Sequence, residues 1–509
     1  MQLSWKKTWV ALLVIVLLGT VLRFSGLGNN SFVADEFLDI NSSYGYFQTG
    51  EWRAWDFNFG KPAEMNTNVA RDERAFVYKW QVAQLFRVLP PTETTARLVS
   101  VLWGAVSMLV IFWSTFIFTR KKEIGLIASF LFAVSVAGII FDRRLRMYAM
   151  FFPVYLAFAT VLYSFFEVEY QGRIAWLRRI WERFGINFLY CIPLVLLAAL
   201  NALVHGLSLS LIPMFGLYVL IMAGIMWKKE KTLKNKYAVM VGLGALASVL
   251  IVIFFPQLVR LGFGSMVWFD DHYSYLGYVL GDFAHPLLGV FLIACGVYCL
   301  GMREQNTKAS WYLTLSYLVP LALAIWFFRR NAGPQYIFFV QSFGLMLAAI
   351  GIYRLATLLP EKFPEWGKYG ASLVLLVSFL LVPNWGYFLE ENNTYHETSS
   401  GGNPNYRKVF TYVKANLIES DVLVTRNVRN YYWSGAKVPV IDLGDEINRK
   451  KFSLADLETA MQEHASGWIV LSDNDYDYFS GEAEDYMKRN LIRVSNPSVR
   501  GAIDVYRWQ

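Results

Sequence analysis

Runs of about twenty apolar residues recur along this chain, and each is long enough to cross a bilayer as a helix. The first lies in MQLSWKKTWVALLVIVLLGTVLRFSGLG. Eleven such spans are predicted, centred on 8–25, 94–119, 124–141, 147–167, 186–204, 207–227, 237–256, 285–302, 311–328, 335–353 and 369–388. Only 17% of the residues are charged and 55% are hydrophobic, a balance that a soluble chain of 509 residues does not strike. Long continuous runs, rather than short alternation, disfavour a β-barrel. The expected fold is therefore an all-α polytopic membrane protein. The first run has a basic start but no small-x-small cleavage site, so it reads as a retained anchor.

Charge sets the orientation. With Lys6 and Lys7 inside, the connections RKKE at 120–123, RIAWLRRIWERF at 173–184, KKEKTLKNK at 228–236, MREQNTK at 302–308 and 354–368 also fall inside, and all are basic. The net charge of +8 is thus a topological signature and no sign of nucleic-acid binding. The N-terminus is expected in the cytoplasm, and the C-terminus beyond a plasma or inner membrane. The extracytoplasmic side then receives a loop at 26–93, a second at 257–284 and a polar tail at 389–509. Residues 1–388 form the membrane domain. The tail alternates helix (NYRKVFTYVKANL, SLADLETAMQEH, GEAEDYMKRN) with strand (DVLVTR, GWIVLSD, LIRVS, AIDVYRW), which predicts a small α/β domain.

Two outward connections break the charge rule. FDRRLRMYAM carries Arg143, Arg144 and Arg146; FFRRNAGPQY carries Arg329 and Arg330. Cations against the topological bias suit an anion at the outer interface, and the planar guanidinium suits phosphate. On a helix, Arg143 and Arg146 would share a face at i, i+3, with Tyr148 adding a hydroxyl. The plain alternative is snorkelling to lipid headgroups, or pairing with Asp142.

The 26–93 loop is rich in aromatics. It predicts interfacial helices over Asp35–Phe47 and over Phe76–Leu89, the second ending before Pro90 and Pro91. Asp35 and Glu36 open the first helix. Acids favour helix starts for dipole reasons alone. Beside an apolar membrane face and opposite arginines, however, a carboxylate is also what an acceptor hydroxyl needs for deprotonation. Asp72 and Glu73 form a second acidic pair, set among Arg71 and Arg74 as a solvated charge cluster would be.

Other signals fail. VGLGALA at 241–247 sits inside a span, where it reads as helix packing. No phosphate loop is present. His205, His272, His285, His396 and His464 lack metal-ligand spacing. Asp270, Asp271 and His272 form only a weak cluster. Asn41 and Asn392 open formal glycosylation sequons. Cys191, Cys295 and Cys299 all lie in apolar segments, so no disulfide is expected.

VADEFLDINSSYGYF resembles the Asp-Glu loop of integral-membrane glycosyltransferases that use polyprenyl-phosphate sugars. That group, the GT-C superfamily, includes the protein O-mannosyltransferases of glycosyltransferase family 39 and the aminoarabinose transferases acting on lipid A. ETTARLVSVLWGAVSMLVIFW (93–113) and the stretch 124–166, with Arg-Met-Tyr at 146–148, are similar to the segments after the loop in that group. RRNAGPQYIFFVQSFGLMLAAIG (329–351) is similar to its late segment. The resemblance implies transfer of a sugar with inversion from a polyprenyl-phosphate donor to an extracytoplasmic protein, lipid or envelope glycan. It makes Asp35 the general base and Glu36 its orienter or a sugar ligand. Arg143, Arg146, Tyr148, Arg329 and Arg330 become phosphate contacts. Asp72, Glu73, Asp142 and Tyr336 become weaker acceptor or sugar contacts. A divalent metal is left open, and the lipid-linked sugar itself is the donor. Two departures stand out. The group's Pro-Pro-Leu-Tyr reads Arg74-Ala75-Phe76-Val77-Tyr78 here, and its late Arg-Tyr reads Gln335-Tyr336.

A transporter or flippase of lipid-linked glycan would instead bury charges at mid-span on broken helices. The mid-span regions here are nearly free of charge. A non-catalytic scaffold presenting the tail would need neither the acid pair nor the outward arginines.

Overall fold

The computed structural model describes residues 3–57, 60–64, 74–232, 234–264, 271–327, 333–396, 404–433, 435–443 and 451–509. By internal contacts the chain divides into two units. One comprises Met1–Phe24, Arg74–Tyr78 and Leu98–Trp385; the other comprises Ser25–Glu73, Lys79–Arg97 and Gly386–Gln509. The second unit joins most of the 26–93 loop to the tail.

The first unit is helical and apolar. Among the described residues, eight helices are long and apolar enough to span a membrane: Trp5–Phe24, Glu93–Thr119, Tyr148–Glu167, Gly206–Glu230, Lys236–Phe254, Pro286–Arg303, Thr307–Phe327 and Phe338–Leu358. Two further stretches are bent. Lys122–Ala133 and Val136–Asp142 meet at 61°, and Ala175–Phe184 and Phe188–Val204 meet at 108°. Tyr369–Leu381 is a shorter apolar helix. The eleven predicted spans map onto these elements in order. Ala175–Phe184 is the amphipathic linker rather than half of a span, because it carries Arg178, Arg179, Glu182 and Arg183 between Trp176, Leu177 and Trp181.

The 61° bend has a definite cause. A break leaves carbonyls unbonded at the end of one half and N–H groups unbonded at the start of the next. Arg23, fully buried, takes the first set. Its Nη2 donates to the Phe132 carbonyl (3.0 Å) and its Nη1 to those of Ala133 (2.9 Å) and Gly19 (3.1 Å). Its Nε donates to Asp142 Oδ2 at 2.6 Å, and the guanidinium lies over the Phe132 ring. Ser135 and Asp282 take the second set. Ser135 Oγ accepts from the Gly138 N–H (2.9 Å), and Asp282 Oδ1 accepts from the Ala137 N–H (2.9 Å). Asp282 Oδ2 also receives Ser135 Oγ (2.7 Å) and Gln341 Nε2 (2.6 Å). A cation sits on the C-terminal end of one half-helix and an anion on the N-terminal end of the other, as the helix dipoles favour. The backbone must come close for this. A Cβ at Gly104 would fall 2.6 Å from Asp142 Oδ2 and 2.9 Å from Arg23 Cδ.

The second unit holds the tail sheet. Its five strands lie in the order Val440–Asp442, Asp421–Thr425, Ser466–Ser472, Ile503–Trp508, Ile492–Arg493. The first three are parallel and the last two pairings are antiparallel. The two central strands Asp421–Thr425 and Ser466–Ser472 are buried along their length, which is why both read as continuous runs instead of alternating. Val424, Ile469 and Leu471 pack on one face with Leu457, Ala483 and Met487 from helices Leu454–Glu463 and Gly481–Asn490. Leu423, Trp468 and Val470 pack on the other with Val409, Phe410 and Val413 from helix Tyr406–Asn416.

Removing Arg23 would strand the buried Asp142 carboxylate and the carbonyls of the broken helix. Arg23→Ala is therefore expected to destabilise the membrane unit by about 3–5 kcal/mol. Arg23→Lys should restore little of this, because one ammonium cannot reach four acceptors in a fixed fork. Thermal unfolding of the purified protein in detergent checks both, and an Arg23→Lys midpoint equal to the parent's would refute the account.

Candidate functional site

Asp35 and Glu36 are neighbours in sequence, and the structure separates them. Both lie in the first turn of helix Ala34–Thr49. Glu36 is fully buried, and Arg97 holds it bidentately, Nε to Oε1 at 2.8 Å and Nη2 to Oε2 at 2.7 Å. Oε2 also accepts from the Val33 N–H at 3.0 Å. Val33 precedes the helix and has no polar side chain, so Glu36 closes the helix start alone. Arg97 spends its remaining donors on the carbonyls of Leu27 (3.0 Å), Asn30 (2.8 Å) and Ser31 (2.8 Å). The irregular segment before the helix is thereby wound around one guanidinium. Asp35, one residue earlier, is exposed. A step of about 100° around the helix carries one acid into the core and leaves its neighbour on the surface.

The rest of the helix is anchored on its apolar side. Phe37 and Ile40 are buried, and Phe32, Tyr44 and Phe57 surround the ring of Trp433 at centroid distances of 5.1, 5.6 and 5.5 Å. Trp433 ends the tail helix Val428–Trp433, and Asn430 of the same helix donates to the Phe32 carbonyl at 3.4 Å. Tail and loop are thus packed together around the start of this helix. Asp39, one turn on from Asp35, is buried and paired with the buried Lys79 at 3.7 Å. Lys79 lies on Phe76–Phe86, the second predicted loop helix, which stops three residues short of the expected Leu89.

In the membrane unit the basic turn differs from expectation. Arg143 and Arg146 do not share a helix face. Helix Val136–Asp142 ends before them and helix Tyr148–Glu167 begins after them, so the residues between form a turn. Arg143 is buried, and its Nη1 donates to the carbonyls of Leu22 (3.2 Å) and Arg23 (3.0 Å), which cap the end of the first span. Asp142 is buried against Arg23, not against its neighbouring arginines. Arg144 is exposed, and Arg146 is half-buried with its guanidinium over the Tyr148 ring at 5.6 Å. Tyr148 is buried beside His205, with ring centroids 5.3 Å apart. Ser100 Oγ, which lies 2.6 Å from the Tyr78 hydroxyl, donates to the Arg144 carbonyl at 2.6 Å and so braces the turn.

Tyr336 is half-buried in the short helical turn Pro334–Tyr336. Asp72, Glu73, Asp270, Arg329 and Arg330 lie outside the described residues. Among the described residues no group of three or more His, Cys, Asp or Glu could hold a metal ion.

Four residues that the sequence patterns do not single out matter here: Arg23, Arg97, Lys79 and Trp433. The first three carry a readable signal, since each is a lone cation at or near an apolar helix. Trp433 carries none.

No protein-family profile matches the chain, and no curated protein sequence does. Solved structures do match. One is ArnT from Cupriavidus metallidurans bound to undecaprenyl phosphate, at 13% identity and TM-score 0.53, covering 98% of this chain and 98% of that one. Another is the archaeal oligosaccharyltransferase AglB from Archaeoglobus fulgidus in complex with an inhibitory peptide and a dolichol-phosphate, at 11% identity and TM-score 0.59, covering 99% of this chain and 74% of that one. At these identities the likeness is one of fold. The chain shares the fold of these two proteins, and its long apolar helices make it a multi-pass membrane protein, as expected.

The Glu36–Arg97 pair makes a testable demand. Arg97→Lys should lower the unfolding midpoint and loosen segment 27–31, read as faster amide exchange there. Glu36→Gln should also lower the midpoint, because its NH2 would face a donor and the buried guanidinium would lose its counter-charge. Equal exchange in Arg97→Lys and the parent would contradict this role.

Proposed function

We propose that the chain is an inverting glycosyltransferase that moves a sugar from a polyprenyl-phosphate donor to an extracytoplasmic acceptor, with Asp35 as general base. The observation that carries this reading is the division of labour in the first turn of Ala34–Thr49. Glu36 is locked by Arg97, and its neighbour Asp35 is held on the exposed side of a rigid element. A catalytic base must be both accessible and fixed in direction, and this arrangement provides both. The fold supports the reading, because it is shared with ArnT bound to undecaprenyl phosphate and with AglB in complex with a dolichol-phosphate.

Asp35 takes the proton from an acceptor O–H or N–H as that atom bonds to the anomeric carbon from the face opposite the phosphate. The bond from the anomeric carbon to the phosphate oxygen breaks, the configuration inverts, and polyprenyl phosphate leaves with the electron pair. The leaving phosphate gains charge, so a cation beside it lowers the barrier. Arg146 and Arg144 suit that task better than Arg143, whose guanidinium faces backbone carbonyls. Glu36 acts by positioning. In this reading the reacting side lies beyond the inner membrane and the N-terminus in the cytoplasm, the orientation that the basic connections favour.

Incubation of the purified protein with a labelled polyprenyl-phosphate sugar pool and cell-envelope acceptors tests this. Asp35→Asn should cut transfer by ~100-fold or more, with the unfolding midpoint and donor binding unchanged. Transfer at the parental rate in Asp35→Asn would remove Asp35 from the mechanism. Arg146→Ala should chiefly lower kcat, because the charge it offsets grows as the phosphate leaves.

A further inference from the structure

At the end of the membrane unit where Glu93–Thr119 and Tyr148–Glu167 finish lies a polar cavity of about 880 Å³. Arg120, Glu167, Glu169, Arg173, Asn187 and Tyr190 are among the residues that line it. None of them serves the proposed transfer. Glu167 is neutralised within the protein. Its carboxylate is buried, pairs with Lys308 at 2.8 Å and Lys236 at 3.3 Å, and accepts from the hydroxyls of Tyr218 and Tyr237, both at 2.9 Å. Arg120 and Arg173 are different. Both side chains are exposed, and among the described residues neither guanidinium has a hydrogen-bond or ion-pair partner.

Arg120 also stands where an arginine is costly. Its φ is +58°, and its N–H donates to the Phe116 carbonyl at 2.8 Å, so it terminates Glu93–Thr119 in the left-handed conformation that glycine favours. The amphipathic helix Ala175–Phe184 begins two residues after Arg173 and adds Arg178, Arg179 and Arg183 against one acid, Glu182. Around these arginines the apolar side chains are bare: Ile174 is 50% exposed, Trp176 54% and Leu189 54%. The 108° turn into Phe188–Val204 lays the helix across the direction of that span. A helix with aromatics on one side, arginines on the other and a membrane span at right angles is built to lie in the headgroup layer.

We infer that this cavity is a binding site for the phosphodiester headgroup of an anionic phospholipid, held by Arg120 and Arg173, with its acyl chains against Ile174, Trp176 and Leu189. The surplus of cations selects negative charge, and the exposed apolar side chains beside them favour a lipid over a soluble phosphate. Glu169, exposed in the lining, is the one lining carboxylate left to oppose the phosphate. The site serves leaflet recognition and is independent of the proposed transfer.

The test uses the intact protein in detergent. Native mass spectrometry would follow binding of phosphatidylglycerol and of phosphatidylcholine with the same acyl chains, for the parent and for Arg120→Gly combined with Arg173→Ala. Glycine at position 120 suits the backbone there, so the variant keeps its fold, and its unfolding midpoint checks that. The parent should retain one phosphatidylglycerol about tenfold more tightly than phosphatidylcholine, and the variant should lose that preference. Millimolar inorganic phosphate should not displace the lipid. Equal binding of the two lipids by the parent, an unchanged preference in the variant, or displacement by phosphate alone would each overturn the assignment.

Discussion

Backbone that leaves the helical path must find partners for the groups it frees, and within a bilayer water is not among them. This chain frees buried backbone groups in two places, once in a span and once in the loop, and meets both with the same device. Arg23 binds one carboxylate, Asp142, and the carbonyls of Gly19, Phe132 and Ala133. Arg97 binds one carboxylate, Glu36, and the carbonyls of Leu27, Asn30 and Ser31. Five donors in a planar fork allow a single side chain to gather a whole irregular segment. The carboxylate in each case offsets part of the cost of burying the charge. The broken span in one unit and the entry to helix Ala34–Thr49 in the other both depend on a guanidinium.

The second of these arrangements decides what the acid pair can do. Two adjacent carboxylates look equivalent in a sequence. Here Glu36 is consumed by Arg97 and the Val33 N–H, and that commitment sets the rotation of the helix and hence the direction of Asp35. Trp433 then fills the apolar side of the same helix from the tail. The tail is therefore part of the support of the loop helix, and the two belong to one compact unit although some 290 residues separate them in the chain.

Features with local causes are legible in the sequence. Apolar length shows the spans, and the alternation of helix and strand shows the tail, down to its two central buried strands. Features with distant causes are not. Arg143 and Arg146 at i, i+3 suggest one face, but helix Val136–Asp142 stops at Asp142, whose partner Arg23 lies 119 residues away. Arg143 looks like a phosphate ligand because the charge rule predicts an outward cation there, while its Nη1 donates to carbonyls more than a hundred residues earlier. Arg97 sits inside the stretch 93–113 that carries the resemblance, yet its partner is 61 residues back. Charge type and position show that a side chain is unusual; only the fold shows whom it meets.

The broken helix also bears on the choice between an enzyme and a transporter. In transporters, discontinuous helices leave half-helix ends open so that substrate or ion can occupy them. Here the ends are filled from within. The carbonyls of Phe132 and Ala133 face Arg23, and the N–H groups of Ala137 and Gly138 face Asp282 and Ser135. Asp282 is in turn held by Gln341 from the helix Gln341–Lys362, so the break is tied to a third element. A substrate entering there would have to displace a buried ion pair and reopen at least four hydrogen bonds at once. The bend is better understood as a fixed corner that sets where the following basic turn emerges, a task that calls for rigidity and suits a positioned chemical site more than an alternating gate.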